Sequence, residues 1–295
     1  MLRAKSTRRH GFTMFDLIVS LVLIVLGSTF VLAAAEDEKE HDNRVKCASN
    51  LRQIGQAMLL YSNENRGAFP RALYDRKTAD KPTVYTNAEA EIAEDEKDKI
   101  NDAAYSKNGP KPNDVTAAYY RLIRTEDIQP DVFTCPSARA LRPADEKQPE
   151  LDRVKQVNFF GPVELDYSFA NPYPSADAAK KKYRLNNSIA AEFVLVGDMN
   201  PGGDDLTKIT LDSTEDELKK TNSKNHGGDG QNFLYGDGHV EFQTNVFAGV
   251  KRDNVYTYGA SGDAEGAEKK GGEGIVGSPV GPDDSVLLPT AEQGK

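Results

Sequence analysis

CASNLRQIGQAMLLY, residues 47–61, carries apolar groups at Cys47, Leu51, Ile54, Met58 and Tyr61. The steps alternate between four and three residues, the period of a helix with one apolar face. Between Ala35 and Tyr61 the only breaker is Gly55, and Gly67 followed by Pro70 makes a stop signal. The spacing therefore predicts one long helix from about residue 13 to 65. Its second half, residues 36–66, reads as a stalk that lays its apolar stripe on a head domain.

Upstream, residues 17–35 contain no charged side chain. Such a helix rises roughly 28 Å, close to the ~30 Å hydrocarbon core of a bilayer. Arg3, Lys5, Arg8 and Arg9 precede it. Three readings of this segment compete. A cleaved secretory signal would use the small residues Ala33, Ala34 and Ala35 as its cut site. A plain signal anchor would keep the basic flank in the cytoplasm and export the rest. Neither accounts for Gly11, Phe12 and Thr13 standing before the run, or for Asp16 at its start.

The chain has 295 residues and a net charge of −9. Without the four N-terminal cations, 33 basic residues face 46 acids, a net charge of −13. A body this acidic repels nucleic acid, and no basic groove with interleaved aromatics is visible. Two cysteines, Cys47 and Cys135, are too few for a disulfide scaffold and lack the CxxC spacing of a zinc site.

The order Arg8, Arg9, His10, Gly11, then Phe12, Thr13, Met14, Phe15, Asp16 and an apolar helix resembles the prepilin-type leader. That leader belongs to type IV pilins and type II secretion pseudopilins. The resemblance implies a leader at residues 1–11 and cleavage by a prepilin peptidase between Gly11 and Phe12. It implies methylation of Phe12 and a membrane-crossing assembly helix at 12–35. It also implies that Asp16 meets the N-terminal amine of a neighbouring subunit, because a carboxylate among apolar helices is costly unless it finds a cation. Asp16 stands where the family prefers Glu. Asn50, Leu51, Arg52, Gln53, Ile54 and Gly55 resemble a phrase of the large pseudopilin-like families abundant in planctomycete-type bacteria, as do Phe133, Cys135, Pro136 and Ser137.

The head, residues 67–258, reads as an antiparallel sheet against the stalk helix, an α+β arrangement of pilin-like kind. Residues 72–112 read as a polar insertion with an acidic, solvated patch at 89–102. Residues 115–123 read as a short helix, and 165–170 and 193–198 as strands. Residues 233–242 read as a hairpin in which Asp237 and Gly238 form a type I′ turn with positive φ at both. Residues 259–295, rich in Gly, Pro and acids, read as a flexible tail. Within them Gly272, Gly274 and Gly277 fit GxGxxG, but no strand precedes them, so a dinucleotide site is excluded by context. If the head is exported, Cys47 and Cys135 have a choice between a bridge and two buried thiols.

The segment from His226 to His239 resembles the H-x9-DG signature near the end of the same families. Ten residues rather than nine separate His226 from Asp237. His226, Asp229 and Asp237, with help from Asp198 and His239, offer ligands for a divalent metal. A catalytic His–Asp pair lacks a nucleophile elbow, and a purely structural loop remains open beside both. The expectation drawn from all of this is a pseudopilin or minor-pilin-like structural subunit, not an enzyme. Its partners would be a prepilin peptidase, like subunits and the inner membrane, not nucleic acid. It would be a single-pass inner-membrane protein with its N-terminus cytoplasmic and its head outside. The alternative is an anchored extracytoplasmic module that binds a glycan or a divalent metal.

Overall fold

A computed structural model describes residues 14–90, 109–140, 142, 155–263 and 271–293, with side chains 26–37 left aside. The leader residues, Gly11 and Phe12 lie outside these. The long helix forms as the periodicity requires: α1 runs Met14–Glu64. The Gly67 amide reaches back to the Ser62 carbonyl at 2.8 Å and ends it. Asp16 falls in the first turn of α1, where a carboxylate meets the positive end of the helix dipole.

The chain divides into two units, Met1–Asp42 and Asn43–Lys295, and α1 contributes to both. In the first unit the side chains of residues 14–25 are apolar except Asp16 and Ser20, and all ten apolar ones are exposed, from Val19 at 40% to Met14 at 79%.

Among the described residues no helix is long and apolar enough to cross a membrane. This overturns the expectation of a single inner-membrane span with a cytoplasmic N-terminus and an exterior head. The apolar side chains described at 14–25 cover only about 18 Å of helix, well short of a ~30 Å core.

The second unit is α+β. Its sheet has the order β4-β3-β2-β1-β5, antiparallel throughout. The strands are β1 (Tyr167–Ala170), β2 (Val194–Asp198), β3 (Gln231–Tyr235), β4 (Val240–Gln243) and β5 (Leu287–Leu288). The stripe expected on α1 is buried as written: Cys47, Leu51, Ile54 and Met58 are fully enclosed and Tyr61 nearly so. Gly55 explains its place in the helix, because a Cβ there would stand 3.1 Å from the Leu234 methyls of β3. Helix and sheet approach closely at that point.

Helix α2 (Val115–Thr125) is capped by Asp114, whose carboxylate accepts from the Ala117 amide at 2.9 Å. The same carboxylate accepts from the amide and hydroxyl of Thr86. The described flanks of the 72–112 segment are thus pinned to α2, and Ala90 is buried with Ala117 and Val157. Most of the acidic patch at 89–102 lies outside the described residues.

Two expectations fail here for identifiable reasons. The β3–β4 connection is not a type I′ turn. Gly238 has φ +89 but Asp237 does not have positive φ, and the Gly238 amide bonds to the Tyr235 carbonyl at 2.9 Å. This is a three-residue loop, Gly236, Asp237 and Gly238, in which a type I turn is followed by a left-handed glycine. The residues from 259 onward are not a flexible tail in their described part. Val286, Leu287 and Leu288 are fully buried, and β5 pairs with Phe169 and Ala170 of β1. The apolar Val-Leu-Leu run outweighs the polar composition around it, because one edge of β1 would otherwise be left open.

Candidate functional site

Four segments far apart in sequence send donor atoms to one point. Cys47 comes from the middle of α1. Cys135 follows the turn Pro130–Phe133 and precedes the short helix α3 (Pro136–Ala140). Asp198 is the last residue of β2, and His226 sits in the glycine-rich loop before β3. All four side chains are fully buried, and one ligand atom from each lies within 4.8 Å of every other.

The imidazole is the hub. His226 Nε2 lies 3.2 Å from Asp198 Oδ2, 3.3 Å from Asn232 Nδ2 and 3.8 Å from Cys135 Sγ. Burial by itself lowers the His226 pKa, but its bonds to Asp198 and Cys135 outweigh that and raise it to about 11. Burial pushes the Cys135 thiol up, and its hydrogen bond with Cys47 adds to the effect. The His226 and Phe242 rings meet in a T-shaped contact with centroids 5.9 Å apart, and the Arg44 guanidinium lies over the Phe242 ring at 4.5 Å.

A second layer fixes the donors. Asp198 accepts from the Asn232 amide at 2.6 Å and from the Asn225 side chain at 3.1 Å. The hydroxyl of Tyr256 donates to the Asp198 carbonyl at 2.8 Å. The Cys135 amide donates to Asp166 Oδ2 at 2.8 Å, and Asp166 is paired with Arg142. Burial, opposed by Arg142, raises the Asp166 pKa to about 6. Asn50 on α1 donates to the Thr134 carbonyl at 3.0 Å, which sets the cysteine-bearing turn against the helix.

The metal trio expected from sequence is not assembled. His226 is interior, whereas Asp229 is about half exposed and pairs with Arg44 and Lys219, each at 2.9 Å. Asp237 is on the surface of the hairpin loop, bonded to the amide and Nδ1 of His239. Both acids serve local surface electrostatics. The bridge between Cys47 and Cys135 is not formed: both are free, buried thiols. Asp198, given only a supporting part by the sequence, is the carboxylate that His226 meets. The four sit on a helix face, after a turn, at a strand end and in a loop, each isolated in sequence, and no spacing rule connects them.

No family model, curated protein or solved structure matches the chain.

Proposed function

We propose that this chain is a structural subunit of pilin-like kind. It is cut between Gly11 and Phe12 and assembles through the first part of α1 against the same segment of other subunits. The observation that supports this reading is the exposure of Met14, Phe15, Leu17, Ile18, Leu21 and their neighbours along a helix that then becomes the core of the head. A helix apolar all round is stable when other apolar surface covers it. Like helices provide such a cover. The role is mechanical, with no turnover.

The mass and N-terminal sequence of the mature protein from its own cells test the processing step. A start at Phe12 is expected, and an intact Met1 would refute the cut. Sedimentation of the mature chain tests assembly. Wild type is expected as large particles, and Leu21→Lys with Ile24→Lys as monomers with an unchanged head. A monomeric wild type refutes assembly.

A second reading, a head that binds glycan or another polar ligand, is favoured by a cavity of about 440 Å³. It is lined by Arg66, Arg71 and Arg184 with the aromatic rings of Tyr61, Phe69 and Tyr183. Binding to a glycan array that disappears in Arg71→Ala would support it.

A further inference from the structure

We infer that Cys47, Cys135, Asp198 and His226 form a closed structural zinc site that fastens the stalk helix to the sheet. The inference is independent of assembly, since it concerns only the interior of the second unit.

The donor set fits the ion. Two sulfurs, an imidazole nitrogen and a carboxylate oxygen are ligands that zinc takes in tetrahedral structural sites. The edges of such a tetrahedron, from zinc–sulfur bonds near 2.3 Å and zinc–nitrogen bonds near 2.0 Å, are roughly 3.3–3.8 Å long. The measured separations, 3.2 Å from His226 Nε2 to Asp198 Oδ2 and 3.8 Å from His226 Nε2 to Cys135 Sγ, fall close to those edges. Every pair of the four donors is within 4.8 Å, so little motion closes the site around one ion.

The surroundings fit as well. None of the four side chains is exposed, which suits a structural ion with no open position for water. His226 Nε2 carries a single proton or a single lone pair, yet Asp198 Oδ2 and Cys135 Sγ both converge on it. Protons alone satisfy one of these approaches; a cation at their common centre satisfies the oxygen, nitrogen and sulfur donors together. The carboxylate is held in place by Asn225 and Asn232, the outer-shell support that fixes a ligating group.

Binding is balanced by proton release. Each thiol gives up its proton to become a thiolate, and an imidazolium gives up its Nε2 proton so that the lone pair faces zinc. Asp198 binds as the carboxylate. The resulting site carries one net negative charge, and no oxidant or reductant takes part.

The test uses the full chain, purified with thiols kept reduced, loaded with zinc and dialysed. Elemental analysis is expected to give about one zinc per chain, and removal by a chelator to lower Tm by on the order of 10 °C. Cobalt in place of zinc is expected to show the visible bands of a tetrahedral ion and charge transfer from thiolate. Cys47→Ser and His226→Gln lose the ion, while Asp229→Asn retains it. Because the first two variants can fail to fold, the cobalt spectrum of the wild-type protein carries the decision. Three results overturn the site: a folded, reduced wild type holding less than about 0.1 zinc per chain; a bridge joining Cys47 to Cys135 in the protein as isolated; or zinc retained in folded Cys47→Ser and Cys135→Ser.

Discussion

Asp198 and His226 meet at 3.2 Å with neither side chain exposed, and the same carboxylate also accepts from Asn225 and Asn232. In the metal-free, reduced protein this is a buried charge pair. Removing one partner leaves the other unpaired in the interior, which costs about 3–5 kcal/mol. Asp198→Ala is expected to lose that much in urea unfolding. The double variant Asp198→Ala with His226→Ala is expected to lose less than the two single losses combined, with a coupling of about 0.5–3 kcal/mol. Strict additivity would show that the two residues act separately.

Asp229, three residues after His226, predicts the opposite. Its pairs with Arg44 and Lys219 are at the surface, where water and salt screen them. Asp229→Ala is expected to cost at most about 1 kcal/mol, and less in high salt. A loss comparable to that of Asp198→Ala would return Asp229 to the site.

This contrast marks where sequence reasoning reached and where it stopped. Helix α1 and the stripe from Cys47 to Tyr61 were legible because a helical period is local. The strands at Tyr167–Ala170 and Val194–Asp198 were legible because their apolar runs are bounded by turn residues. The site was not, because Cys47, Cys135, Asp198 and His226 are brought together only by strand order and by the Asn50 bond to the Thr134 carbonyl. Proximity in the loop suggested Asp229 and Asp237 instead, and solvent claims both. The end of the chain misled through composition: glycines and acids hid Leu287 and Leu288, the two apolar residues that complete the sheet.

The sheet's tolerance is narrow at Gly197 on β2. A Cβ there would meet the Phe233 ring at 2.5 Å and a Leu287 methyl at 3.1 Å. Both neighbours are fully buried. Gly197→Ala is expected to destabilise by about 1–3 kcal/mol through overpacking. Leu287→Ala opens the same spot from the other side and is expected to cost about 2–5 kcal/mol. Combining them would restore part of the lost volume, so the double variant is expected to be more stable than the sum of the two predicts. Denaturant midpoints decide it, and a Leu287→Ala variant as stable as wild type would mean that the last strand does not hold the fold.

The closing segment also carries a pH dependence. Asp284 is almost fully buried, with one carboxylate oxygen accepting from the amides of Gly259 and Val280. Burial raises its pKa to about 7; those two amides and Lys181 oppose the rise, and Glu273 adds to it. Asp253, bonded to Ser261 and Ser285, is raised too, by burial first and then by the charge of Asp284. Below the ordinary carboxylate range both folded and unfolded chains hold the Asp284 proton, and the group has no net effect. As the pH rises toward 7, the unfolded chain releases its proton while the folded chain keeps it, so stability falls. Above 7 the full penalty is in place, on the order of 4 kcal/mol from Asp284. Unfolding of the metal-free, reduced protein at a series of pH values is therefore expected to find it more stable near pH 5 than near pH 7.5. Asp284→Asn keeps an oxygen for the two amides and removes the ionisation, so it is expected to make that fall shallower, with Asp253, Asp166 and His226 carrying the remainder. An unchanged slope in Asp284→Asn would assign the dependence to other groups.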